Sequence, residues 1–94
     1  MKILCICGSG MGTSMIIKMK ANQALKELNL EGSVESIGLG QGKTIAINFD
    51  VIFCTQNFVD EIPKGKTLVY GINNVMDLNE IKSKILEAKD KLNA

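Results

Sequence analysis

Histidine, arginine and tryptophan are absent from the 94 residues, and each absence closes a class of chemistry. Without histidine there is no imidazole base and no histidine-based zinc site. Without arginine no guanidinium fork can clamp a phosphate or carboxylate. Acidic and basic residues nearly cancel at net +1, the eleven cations all being lysine, so no long-range field argues for nucleic acid or an anionic membrane surface. Long apolar runs are also missing. Ile3 to Cys7 ends at a glycine, too soon for a signal-peptide core, and no stretch approaches a membrane span, so direct membrane insertion is not expected. The three cysteines, Cys5, Cys7 and Cys54, are odd in number and lack the spacing of a disulfide framework, which fits a reducing cytoplasm. The length accommodates one core, and residues 1–94 read as a single domain.

What is present is an alternation of apolar strands and helical patterns. Lys2 to Cys7 is apolar at successive positions, as a parallel strand covered on both faces would be. A helix is expected from about Thr13 to Leu28, with Ile17, Ala21, Ala24, Leu25 and Leu28 as its core stripe. Ser33 to Gly38 forms a second strand, and Gly38 to Gly42 reads as a glycine-rich turn before a short helix near Thr44 to Asn48. Val51 to Cys54 is the third strand, Thr55 to Phe58 the loop beyond it, and Thr67 to Gly71 the fourth strand. Asp77 is placed to cap a last helix with Glu80 as its reciprocal partner, and Leu78, Ile81, Ile85, Ala88 and Leu92 form the buried stripe. Such a βαβ succession predicts an α/β fold: a doubly wound four-stranded parallel sheet in the order 2-1-3-4, flanked by helices. In such sheets ligands sit beyond the strands' carboxyl ends where the winding reverses, here between the first and third strands. That places Cys7 and the loop after it at the site, with Thr55, Gln56 and Asn57 as neighbours.

The stretch Cys7-Gly8-Ser9-Gly10-Met11-Gly12-Thr13-Ser14 joins a strand-ending thiol to a helix start. Alternate glycines let successive N–H groups point at one centre, and the opening helical turn adds unpaired N–H groups and a dipole that favours an anion. The same field lowers the pKa of a thiol at the rim, so Cys7 reads as a nucleophile in a phosphate cradle formed by Gly8 to Gly12, with Thr13 and Ser14 adding hydroxyls. Cys5 shares a face with Cys7 deeper in the sheet, and Cys54 ends the neighbouring strand; both read as core. Cys-x-Cys in one strand sets its sulfurs about 7 Å apart, which argues against a zinc site, and no metal or organic cofactor is needed. Gly8 to Thr13 resembles a dinucleotide fingerprint but has threonine where the third glycine belongs. Gly38 to Thr44 resembles a P-loop one residue short, leaving a nucleotide-binding regulatory module on Gly42, Lys43 and Thr44 as one alternative. A nearer alternative is a low-molecular-weight tyrosine phosphatase, whose loop has arginine where this chain has Thr13. Lacking that arginine and an Asp-Pro acid, the chain can hold a phosphoryl group on sulfur but not readily discard it to water.

These residues resemble the cytoplasmic IIB components of the phosphoenolpyruvate-dependent sugar phosphotransferase system. Positions 7–15 resemble the phosphocysteine loop of the ascorbate and galactitol type, and Met15 to Lys20 the ascorbate branch in particular. The resemblance implies a protein-phosphocysteine–sugar phosphotransferase. In it Cys7 accepts a phosphoryl group from a histidine of a IIA protein and passes it to a sugar or sugar acid held by the membrane IIC permease. The domain would then be cytoplasmic and join the membrane only through IIC. Met11, Met15 and Met19 step along one flank of the first helix and, with Gln56 and Asn57, form the candidate surface for these partners.

Overall fold

The computed structural model describes residues 1–7, 12–62, 65 and 67–92; the side chains of Cys7, Thr13, Ser14, Leu39, Lys43 and Asn57 also lie outside the described set. Four strands, β1 (Lys2–Cys7), β2 (Ser33–Gly38), β3 (Val51–Thr55) and β4 (Leu68–Ile72), form one parallel sheet in the order β2-β1-β3-β4. This is the predicted order. Ile3 to Ile6 of β1 and Val51 to Cys54 of β3 have no exposed surface, because each central strand is covered on both faces.

The faces are covered differently. Helices α1 (Gly12–Glu27) and α3 (Leu78–Leu92) pack on one side, where Ile3, Cys5, Val51, Phe53 and Tyr70 meet Ile17, Ala21, Ala24, Ile81 and Ile85. On the other side Leu4, Ile6, Ile52 and Cys54 meet Ala46 and Ile62, flanked by Ile45, Phe58 and Val59. Helix α1 stops at Asn29, which takes the left-handed conformation at φ 58°; the Asn29 and Leu30 N–H groups return to the Lys26 and Leu25 carbonyls.

Four local expectations change. The turn read at Gly38 to Gly42 is instead the start of a helix, α2 (Leu39–Ile45), followed by a 3-10 turn at Ala46–Asn48. Its glycines suggested irregular backbone, but Gly42 is selected for contact: a Cβ there would stand 2.7 Å from Ile6 Cδ1 and 3.3 Å from Ile37 Cγ2. Close approach of α2 to the sheet needs a residue without a side chain. The loop after β3 is a 3-10 helix, Gln56–Glu61, and Gly71 of β4 leaves room for the Gln56 carboxamide above it. Asp77 caps α3 as expected, its Oδ1 accepting from the Asn79 and Glu80 N–H groups at 3.0 and 3.3 Å. Glu80 does not reciprocate. The Asp77 N–H already donates to the Asn74 carbonyl, and the Glu80 carboxylate accepts instead from Asn73 and Asn74 N–H at 2.8 and 2.9 Å, pinning the segment after β4. Leu92 ends the α3 stripe 42% exposed, since the helix there has passed beyond the sheet.

Candidate functional site at the carboxyl rim

Cys7 is the last residue of β1 and pairs with Gly38, the last of β2. On the other flank Ile6 pairs with Cys54, and one residue further on lie Cys7 in β1 and Thr55 in β3. Gly12 opens α1, with Thr13 and Ser14 in its first turn, so a strand end and a helix start bracket positions 8–11 at the point where strand order reverses. Gly8, Ser9, Gly10 and Met11 of the expected cradle lie outside the described residues. The first turn of α1 carries no acidic side chain of its own to set against the helix's N-terminal partial charge.

The other two thiols are set apart from this rim by environment. Cys5 is fully buried in the cluster under α1 and α3, and desolvation pushes its pKa up to about 12 against the weaker opposing field of Lys18. Cys54 lies in the cluster on the opposite face, donates to the Tyr70 carbonyl at 3.8 Å, and is pushed up to about 11 by burial. Both are neutral core thiols at physiological pH, and on opposite faces they cannot share a metal ion.

The candidate docking residues divide. Met15 is 45% exposed, and its sulfur accepts a hydrogen bond from the Ser36 hydroxyl of β2 at 3.3 Å; Met19, one turn on, is 68% exposed. Gln56 is exposed but lies against Gly71. Met11 and the Asn57 side chain lie outside the described set.

Thr55, expected as a neighbour of Cys7, ends β3. Its hydroxyl oxygen is buried and has no hydrogen-bond partner among the described residues, a state that costs about 1–3 kcal/mol. The available signal was a lone hydroxyl residue ending an otherwise apolar strand, Val51 to Cys54. The surface hollow lined by Met1, Leu30, Glu31, Asp50, Lys89 and Leu92 is at the strands' amino ends, opposite Cys7.

This rim defines a class of fold shared by sugar-transport carriers and small phosphatases. The lactose-specific IIB domain of the phosphotransferase system from Streptococcus pneumoniae superposes with a TM-score of 0.68 at 15% identity, covering 94% of this chain and 96% of that one. A protein tyrosine phosphatase from Entamoeba histolytica superposes with a TM-score of 0.71 at 14% identity, covering 97% and 98%. At such identities the likeness is one of fold alone. Sequence separates the two: the profile of the PTS system lactose/cellobiose-specific IIB subunit matches residues 2–87. A Mycoplasma pneumoniae protein named ascorbate-specific PTS system EIIB component is 41% identical over 88 residues, 89% of this chain and 93% of its own length. The chain belongs to the IIB family of the sugar phosphotransferase system. It is therefore a phosphotransferase component, of a kind that works with IIA and IIC partners. No helix among the described residues is long and apolar enough to cross a membrane.

Proposed function

We propose that this chain is the cytoplasmic phosphocarrier for uptake of a sugar acid, L-ascorbate, with Cys7 as the nucleophile. The observation that supports it most directly is the convergence of the β1 end and the α1 start on one short loop at the reversal of strand order. In the first transfer the Cys7 thiolate attacks the phosphorus of a phosphohistidine on a IIA protein. The S–P bond forms as the P–N bond breaks, and the departing ring nitrogen takes the electron pair. In the second, a substrate hydroxyl held by the membrane IIC protein attacks phosphorus, its proton passes to a base of the acceptor complex, and sulfur leaves as thiolate. The N–H groups of residues 8–14 and the Thr13 and Ser14 hydroxyls hold the transferring oxygens; no metal or organic cofactor takes part. Met11, Met15 and Met19, with Gln56 and Asn57, form the surface on which IIA and IIC dock in turn.

Ascorbate is favoured by the naming of the Mycoplasma relative. The phosphatase reading has only the shared fold behind it, and the chain has no arginine to stabilise hydrolysis of a phosphocysteine. Intact-mass measurement after incubation with phosphoenolpyruvate, the general phosphotransferase proteins and a IIA partner tests the assignment. One added phosphoryl group is expected in the wild type and none in Cys7→Ser. With IIC-bearing vesicles, discharge should require ascorbate and not galactitol. Loading of Cys7→Ser, or discharge by galactitol alone, overturns the corresponding half of the reading.

A further inference from the structure

The segment between β4 and α3 lies at the same rim as Cys7. Ile6 pairs with Cys54 and Thr55 with Ile72, so the ends of β1, β3 and β4 stand side by side, and Asn73 to Asp77 begins about 10 Å across the sheet from position 7. The N–H groups of Asn73, Asn74, Met76 and Asp77 are all bound. The Glu80 carboxylate accepts from the first two at 2.8 and 2.9 Å, the Asn74 carboxamide oxygen from Met76 at 3.0 Å, and the Asn74 carbonyl from Asp77 at 2.9 Å. Val75 packs against the core under α1 and α3, whereas Met76 is 60% exposed. A large apolar side chain on so constrained a backbone leaves little backbone freedom to be lost when a partner covers it.

We propose that Met76 and the segment carrying it form the β4-side wall of the surface that receives the phosphodonor IIA protein, with Glu80 as the residue that positions it. This rests on the assignment of Cys7 as the nucleophile, and it extends the docking surface beyond the flank of α1. Met15, whose sulfur meets the Ser36 hydroxyl of β2, lies on one side of the β1 end and Met76 on the other, so a donor histidine brought against position 7 arrives between two exposed thioethers. A partner of ordinary interface size covers about 800 Å² on each side, a patch about 30 Å across, and one centred on position 7 takes in residues 73–77. Methionine suits such a place because its unbranched, polarisable side chain follows the contour of whatever covers it. Glu80 acts through the backbone it holds: without its carboxylate the Asn73 and Asn74 N–H groups lose their acceptor and Met76 its fixed position.

The test is the initial rate of Cys7 phosphorylation, read by intact mass, as the concentration of a phosphorylated IIA protein is raised. Met76→Ala raises KM about fivefold and leaves kcat unchanged, as expected for a contact made equally before and during transfer. Met76→Leu, which keeps the bulk, retains the wild-type KM. Leu92→Ala, which truncates another exposed apolar residue about 20 Å along α3 from the rim, leaves KM unchanged. Glu80→Ala raises KM in the wild-type background and has no further effect on it in the Met76→Ala background, because both changes remove the same contact. A KM for Met76→Ala equal to that of the wild type overturns the proposal, as does a rise matched by Leu92→Ala. Glu80→Ala that lowers the melting temperature without moving KM overturns the positioning role. Slower discharge to IIC with unchanged loading assigns the surface to the acceptor and overturns the proposal as well. A wild type that takes no phosphoryl group on Cys7 defeats the parent assignment instead, so the two failures are distinguishable.

Discussion

Gly42 of α2 faces Ile6 of β1 so closely that a methyl group at position 42 would fall 2.7 Å from the Ile6 Cδ1 atom. Ile6 has no exposed surface and packs in the cluster with Leu4, Ala46, Ile52 and Cys54, so moving its side chain aside disturbs the core. Two positions earlier in the same helix, Gly40 has nothing within 4 Å of where its Cβ would be. Alanine gains up to about 1 kcal/mol over glycine from helix propensity, while overpacking a core contact costs about 1–3 kcal/mol. Gly40→Ala is therefore expected to raise the urea midpoint and Gly42→Ala to lower it, with unchanged m values in both. The opposite order would show that Gly42 is kept for something other than packing.

The three thiols should separate by reactivity. Burial holds Cys5 and Cys54 as neutral thiols with pKa values of about 12 and 11. At pH 8 the folded protein is expected to take up one alkyl group, on Cys7, and the urea-unfolded protein three. Mass spectrometry counts them directly. Labelling of Cys54 in the folded state would contradict its enclosed position.

One surface pair gives a pH signature. Lys82 Nζ on α3 lies 2.8 Å from Glu27 Oε1 on α1, and Gln23 donates to the other oxygen at 3.0 Å. The hydrogen bond from Lys82 and then that from Gln23 hold the Glu27 carboxyl below its ordinary value of 4.5. Because the folded pKa is the lower one, the pair's contribution to stability is complete above that ordinary value and disappears as the pH falls through the folded value. Thermal melts of the wild type taken from pH 6 downward are expected to fall more steeply below pH 4.5 than those of Glu27→Gln. Parallel slopes would mean the pair is silent in solution, as many exposed pairs are.

The sheet was legible because its two central strands are apolar on both faces and its helices keep strict spacing; Ile3 to Ile6 and the stripe Ile17, Ala21, Ala24, Leu25 needed no tertiary information to find. Misreadings arose where one residue type serves two purposes. Glycine marks turns, so Gly38 to Gly42 reads as a turn with the helix beginning only near Thr44, although Gly42 serves a close contact visible only in three dimensions. An acid three residues after a cap suggests reciprocity, yet Glu80 is drawn to the N–H groups of Asn73 and Asn74, which the chain brings back beside it. The same limit applies at the rim. A sequence names Cys7 through its glycines, but it cannot tell that the Thr55 hydroxyl is buried with no hydrogen-bond partner among the described residues.

Helix α1 spans sixteen residues, about 24 Å from tip to base. Its tip stands at the rim beside Cys7, and its base is moored to α3 through Glu27 and Lys82. A stiff rod fixed along its length by Ile17, Ala21 and Ala24 cannot tilt at one end without shifting at the other. The steadiness of the tip is thus set in part by contacts at the far side of the molecule, where no substrate or partner need ever touch.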